Sequence, residues 1–350
     1  MELAKNVVLG RGVGECILVE LSENEWMVVD CFKTPETKRP APLEYFETIG
    51  LDPKEVIKKI LITHFHDDHV QGMSDLIDIA ENADIYLPSA LTLNEAAEYY
   101  AKQQVSNGFQ ELSGIAEFGR ILDVLYKNNR KVTSVKHSMV LYNANGHMLS
   151  ALSPSEKDCT EAANAFIALA SSIQDASRVG KQHPNNHCIT LNMQCNVTNH
   201  SALLGSDLEI STDPNSGWDA AVSGTMAPKA KKVDIFKIPH HGSENGYHPY
   251  TVTELLSEDV ICVVTTFNRQ DLPRKEFIDL YKQHSTKLLA TTKPKQYRAK
   301  DVVSPFVMKM INNSSIQVKT VNNTKQFGYV ELERNNAKVD YTLHRDAIEL

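Results

Sequence analysis

The segment Ile60-Leu61-Ile62-Thr63-His64-Phe65-His66-Asp67-Asp68-His69 constrains this chain more than any other. An apolar run leads straight into six positions, His64 to His69, that hold three histidines and two aspartates. Five titratable groups beside a buried strand need solvent or partners to offset their desolvation. Alternate residues of an extended segment point the same way, so His64, His66 and Asp68 converge if the backbone stays extended, and a tight turn brings His69 round. Neutral imidazole and carboxylate are suitable ligands for zinc or manganese. Four potential ligands in this run are too few for two ions, so others must come from distant parts of the chain.

The remaining sequence offers them at the ends of predicted strands. Asp207 follows the apolar "SALLG", His240 and His241 follow "VDIFKIP" and precede Gly242, and His187 opens "HCITL". His183 and His147 are alternatives to His187, and either His240 or His241 is the ligand of that pair. A rigid scaffold aims side chains well at the carboxyl ends of strands. A lone histidine there is more often a hydrogen-bonded core residue, and Ser243, Asn245 and His248 in the next loop read as turn residues or as substrate contacts.

Short strands and helices alternate in mixed order through all 350 residues. "ECILVEL" and "EWMVVDCF" read as a hairpin, "DPKEVIKK" as a helix capped by Asp52, "ILITH" as a buried strand and "SDLIDIAENA" as a helix capped by Ser74. "LTLNEAAEYYAKQQ" and "PRKEFIDLYKQH" have the helical period, and "SIQVKTV", "QFGYVELER" and "VDYTLH" predict a small antiparallel sheet. The pattern predicts two sheets packed together with helices outside, an α/β (α+β) class. The chain reads as a single domain over 1–350, with a helical insertion near 155–185 and a small β-rich C-terminal extension from about 300.

A net charge of −8 disfavours coating nucleic acid by charge alone. Two short basic clusters, Lys229, Lys231 and Lys232 and then Lys293, Lys295, Arg298 and Lys300, read as solvated loops or a local groove. The six cysteines form no C-x-x-C pair and several sit in apolar runs, as buried thiols in a reducing compartment do. There is no apolar stretch of about 18 residues to cross a membrane. The first residues do not read as a signal peptide, so a cytoplasmic location is expected.

The chain resembles the metallo-β-lactamase fold superfamily, whose hallmark is H-x-H-x-D-H after a strand. Within it the chain is similar to the ComEC-type branch, the hydrolase domain of competence proteins, and to the related phosphorylcholine esterases. The stretches that carry this are "GVGECILVE", "VVDCF", "ITHFHDDHVQG", "LSP" at 152–154, "NNHCITL", "LLGSDLE", "IPHHGSENG", "VVTTFN" and "LLATT", spread over roughly residues 10–295. The chain departs from the pattern at Asp30-Cys31-Phe32, where the family commonly has Asp-x-Gly, and at His187-Cys188 of its "NN-x-S" motif.

The resemblance implies a four-layer αββα sandwich with two divalent ions, Zn2+ or Mn2+, in its cleft. His64, His66 and His187 would hold the first ion, and Asp68, His69 and either His240 or His241 the second, with Asp207 between them. Asp30 would orient the loop from behind. Two ions about 3.5–4 Å apart can share a hydroxide as nucleophile. Asp68 would orient the attacking water, and the histidine at 240 or 241 that is not a ligand would contact the reacting oxygen or protonate the leaving group. The expected activity is phosphodiesterase or nuclease. Other readings are hydrolysis of a small phosphoester or lactam-like substrate and a non-enzymatic binding scaffold; the intact motif and Asp207 oppose the last.

Overall fold

Three strands open the chain: β1 (Lys5–Gly10), β2 (Glu15–Ser22) and β3 (Glu25–Val29). They pair antiparallel, with Ile17 opposite Val8 on one side and Val29 on the other. β4 (Ile57–Leu61), β5 (Asp84–Pro88) and β6 (Val132–Val135) then extend the sheet in parallel. Parallel neighbours need crossover connections, and the helices Ala41–Thr48, Met73–Ile79 and Gly114–Lys127 lie in those connections.

This computed structural model describes residues 5–98, 114–171, 184–196, 199–229, 231–297, 306, 309–310, 313, 327–335 and 338–350. A second sheet begins with an antiparallel meander: β7 (Val140–Ala144), β8 (His147–Ala151), β9 (Leu191–Cys195) and β10 (His200–Leu204). β11 (Val233–Lys237), β12 (Leu256–Val264) and β13 (Lys287–Ala290) follow in parallel with β10. The last strands are β14 (Gly328–Asn335), β15 (Lys338–Arg345) and β16 (Ile348–Glu349). The orders are β15-β14-β1-β2-β3-β4-β5-β6 and β16-β13-β12-β11-β10-β9-β8-β7. The C-terminal strands therefore extend both sheets instead of forming one of their own.

Three apolar layers hold this sandwich together. Val8, Ile17, Met27, Val29 and Leu61 of the first sheet face Leu149, Met193, Ala202, Ile235 and Val263 of the second. Outside the first sheet, Trp26, Val28 and Ile60 pack with Phe46, Leu76 and Phe118. Outside the second, Phe236 and Cys262 pack with Trp218, Ile278 and Tyr281. Strands covered on both faces read as near-continuous apolar runs, as "VICVV" in β12 does. Burying each such side chain contributes about 1.5–3 kcal/mol. The architecture is αββα, two mixed sheets with flanking helices.

Several elements differ from expectation for local reasons. The helix after Asp52 stops at Val56. β4 starts at Ile57, which pairs with Trp26, and Lys59 reaches across to Asp84 (2.9 Å) and the Tyr86 hydroxyl (2.8 Å) on the next strand. Ser74 does not cap its helix; its backbone N–H and hydroxyl donate to Glu117 Oε1 at 2.8 and 2.7 Å. The expected insertion contains the helix Glu156–Ser171. Residues 172–183, with His183, lie outside the described residues, as do 99–104 of the "LTLNEAAEYYAKQQ" helix and the "SIQVKTV" strand. Among the described residues no helix is long and apolar enough to cross a membrane. All six cysteines are buried, and none is in a disulfide.

Parallel pairing puts the carboxyl ends of β3 and β4 at one end of the first sheet, and those of β10, β11 and β12 at one end of the second. Most site residues follow these strands, and His187 precedes β9, which runs antiparallel to β10. Gly205 lets two of them approach: a Cβ there would lie 2.9 Å from the Lys237 carbonyl oxygen.

Candidate metal centre

Backbone strain gathers at these strand ends. Asp30, Ser206, His240 and His241 have φ of 59°, 46°, 45° and 52°. A non-glycine residue in such a conformation costs of order 1–3 kcal/mol and persists only where the surroundings demand it. Gly242 continues the turn at φ 73°, and a Cβ there would lie 2.6 Å from Pro273 Cβ.

The turn brings the two sheets' side chains together. Asp207 Oδ2 lies 3.7 Å from His64 Nε2, 3.4 Å from His69 Nε2 and 3.7 Å from His241 Nε2. Asp68 Oδ2 lies 3.0 Å from His241 Nε2 and 3.6 Å from His69 Nε2. His66 Nδ1 is 3.1 Å from His64 Nε2.

Hydrogen bonds behind the cluster fix the tautomers of two histidines. The Thr63 N–H and hydroxyl donate to Asp30 at 2.7 and 2.6 Å. With its one proton given to a carboxylate, the Thr63 hydroxyl accepts from His64 Nδ1 at 2.9 Å. Asp30 Oδ2 also accepts from His69 Nδ1 at 2.7 Å. Both imidazoles therefore carry a proton on Nδ1 and turn Nε2 toward Asp207. Outer carboxylates orient metal-binding histidines in this way.

Among the described residues, several polar atoms of this region are buried without a hydrogen-bond partner, among them the candidate ligand atoms His69 Nε2, His187 Nε2 and Asp207 Oδ1. Such atoms are costly unless something satisfies them. Burial drives the His64 pKa well below its usual value, helped by the charges of His69 and His66. Burial lowers His187 to about 4, with a further push from His66. At His69 burial also lowers the pKa, but Asp207, Asp68 and Asp30 outweigh it and raise it. Burial pushes Asp68 and Asp207 up, and the surrounding histidines pull both below the ordinary carboxylate range. Three carboxylates around one imidazole make a place for positive charge.

The donor set fits divalent ions. Bonds of about 2.0–2.1 Å to a tetrahedral ion put neighbouring ligand atoms about 3.4 Å apart, and the separations above run from 3.0 to 3.7 Å. Among the described residues, three groups have all their ligand atoms within 4.8 Å of one another: Glu15, His69, Asp207 and His241; Asp30, His64 and His69; and His64, His66 and Asp207.

Of the pair open in the sequence, His241 faces the cluster. His240 lies partly exposed, with Nδ1 3.2 Å from Glu209 and Nε2 3.3 Å from Asn185 Nδ2. Ser243 donates to Asn245 Oδ1 at 2.7 Å. His248 pairs with Thr251 (2.8 Å) and Asp219 (3.1 Å) and stacks on Trp218, anchoring its loop. His147 faces Cys195 Sγ at 3.8 Å. Lys229 donates to the Ser223 carbonyl and Lys295 pairs with Asp271, each at 2.8 Å, while Arg298 and Lys300 lie outside the described residues.

Sequence reasoning missed Glu15, Lys237, Thr63 and Thr265. Glu15 and Lys237 form a fully buried ion pair of 2.6 Å beside His241. The signal was a lysine inside the apolar strand "VDIFKIP", which requires a buried partner.

Residues 9–121 match the model of the metallo-beta-lactamase superfamily. With that match, the αββα sandwich of two mixed sheets is the metallo-β-lactamase fold. No curated protein sequence matches the chain. Among solved structures, the SMB-1 metallo-beta-lactamase bound to 2-mercaptoethanesulfonate is 16% identical, covering 69% of this chain and 78% of its own, with a TM-score of 0.37. The Rm3 metallo-beta-lactamase is 13% identical, covering 72% and 79%, with a TM-score of 0.36. BJP-1, a subclass B3 metallo-beta-lactamase of Bradyrhizobium japonicum, is 13% identical, covering 63% and 69%, with a TM-score of 0.33. These likenesses say nothing about substrate.

Proposed function

We propose that this chain is a metal-dependent hydrolase of the metallo-β-lactamase superfamily, holding two divalent ions, Zn2+ or Mn2+, and cleaving phosphodiesters. The observation that carries the reading is the set of buried, unpartnered atoms His69 Nε2, His187 Nε2 and Asp207 Oδ1 among buried histidines and aspartates. His64, His66 and His187 would hold one ion, Asp68, His69 and His241 the other, and Asp207 both. His241 is assigned over His240 because its Nε2 lies 3.0 Å from Asp68 and 3.7 Å from Asp207. Bound ions would activate water and take up charge developing on a phosphoryl oxygen.

The protein's own groups do the rest. Asp30 and Thr63 hold His64 and His69 in one tautomer. Asp68, 3.0 Å from His241 Nε2, would orient the attacking water. His240, on the rim, contacts the reacting oxygen or protonates the leaving group. Arg11 Nη2 donates to Gln71, two residues beyond His69, at 3.3 Å, and its guanidinium lies 6.0 Å from the Phe32 ring centre. A cation held there favours an anionic substrate, and "PHHGS" with "THFHDDH" supports phosphodiester chemistry.

Nucleic acid is the first substrate class on this reading. A small phosphoester is the second, favoured by the net charge of −8 and by Lys295 being paired with Asp271. The test is a panel of bis-p-nitrophenyl phosphate, plasmid, single-stranded DNA, RNA and a β-lactam, run with Zn2+ or Mn2+. Metal-dependent phosphodiester turnover, abolished by Asp68→Ala, supports the reading; turnover of the lactam alone, or of nothing by a metal-loaded protein, overturns it.

A further inference from the structure

We infer that Glu15, Lys237 and Thr265 form a buried positioning relay that holds His241 with Nδ1 protonated and Nε2 facing Asp68 and Asp207. Its effect on metal binding rests on the two-ion reading above; the tautomer does not.

The relay crosses between the sheets. Glu15 opens β2 of the first sheet and Lys237 closes β11 of the second. Lys237 Nζ lies 2.6 Å from Glu15 Oε2 and donates to the Ser206 carbonyl at 3.1 Å, next to Asp207. Removing two charges from water is expensive, and apolar residues often serve as well or better. A buried pair at this position therefore does more than fasten two sheets.

A carboxylate only accepts, and a hydroxyl has one proton. Thr265 gives its proton to Glu15 Oε2 in a short hydrogen bond. Its lone pair then accepts from His241 Nδ1 at 3.0 Å. The Thr265 backbone carbonyl, also acceptor only, lies 3.2 Å from the same Nδ1. Both neighbours demand a proton on Nδ1, so a proton that Nε2 shares with Asp68, 3.0 Å away, is the one an ion would displace. Phe267 lies along the ring at 5.3 Å and 25° and limits its tilt.

The first sheet uses the same arrangement: Asp30, Thr63 and His64 repeat carboxylate, hydroxyl and imidazole. Glu15 lies close enough to His69, Asp207 and His241 to be a ligand itself. Its Oε2 is already taken by Lys237 and Thr265, so it positions His241 and leaves the ion to others.

The test is Zn2+ titration of the metal-stripped full-length chain by calorimetry, with 15N spectra of the histidine rings assigned through His241→Gln. Thr265→Val removes the hydroxyl and leaves the ion pair. It is expected to weaken one of two Zn2+ binding events about 10–100-fold, while Thr265→Ser restores it. The double variant E15Q/K237M, which leaves no lone charge, weakens the same event. Wild-type affinity in Thr265→Val, or no rescue by serine, overturns the relay. A wild type that binds no Zn2+ refutes the metal reading alone. The relay is then judged on the ring spectra of the metal-free protein: a protonated Nδ1 that Thr265→Val disturbs supports it, and an unprotonated Nδ1 in the wild type overturns it.

Discussion

The first sheet sends its candidate ligands out in one run, His64 to His69 at the end of β4, whereas the second contributes them singly. His187 precedes β9, Asp207 follows β10 and His241 follows β11. A contiguous run needs one strand and one turn to take shape. Dispersed residues meet only if strand register and turns agree, and the second sheet shows that demand. It carries Ser206, His240 and His241 at positive φ, against Asp30 alone on the first sheet's side of the site. The two halves depend on the fold to different degrees, and Asp207 is where they join.

Removing that joint has the largest expected effect. Asp207→Ala should lower reconstituted metal content from about two ions per chain to less than one and abolish phosphodiester turnover. Elemental analysis with a bis-p-nitrophenyl phosphate assay checks this; loss of a single ion would mean that the halves are independent. His241→Gln should lose one ion, whereas His240→Gln should keep both and slow turnover by about a hundredfold or more. Equal metal loss in the two variants would break the distinction between them.

Metal itself should tie the halves together. Zn2+ at a free concentration of 100 times its Kd should stabilise the chain by about 2.7 kcal/mol. That gain should appear in denaturant melts, vanish with a chelator and be absent in Asp207→Ala. Asp30→Asn acts on the first half alone: it removes the acceptor of His69 and Thr63 and should weaken binding about 10–100-fold by titration. The smallest effect is expected at Ser243→Ala, whose hydroxyl serves only its own turn, with stability lowered by about 0.5–1.5 kcal/mol in the same melts.

The same contrast explains what could be read from sequence. Two sheets with helices outside were legible because apolar strands alternate with amphipathic helices. The run at 64–69 was legible because no ordinary core tolerates it. Asp207 and the 240–241 pair stood out as polar residues just after apolar strands. Which of that pair faces the cleft was not legible, because two consecutive left-handed residues decide it and neither histidine announces one. Glu15, Thr265 and Lys237 were missed because their partners lie on other strands and, for Glu15, in the other sheet. The C-terminal strands showed their alternation but not their place, since joining β1 and β13 is decided by edges far away in the chain.

Anomalous diffraction at the zinc edge, on crystals of the reconstituted chain, asks most directly whether residues from both sheets grip the same ions. Two peaks are expected, one among His64, His66 and His187 and one among Asp68, His69 and His241, each within bonding distance of Asp207. No peak in this cleft, or peaks that Asp207 does not touch, would contradict the account.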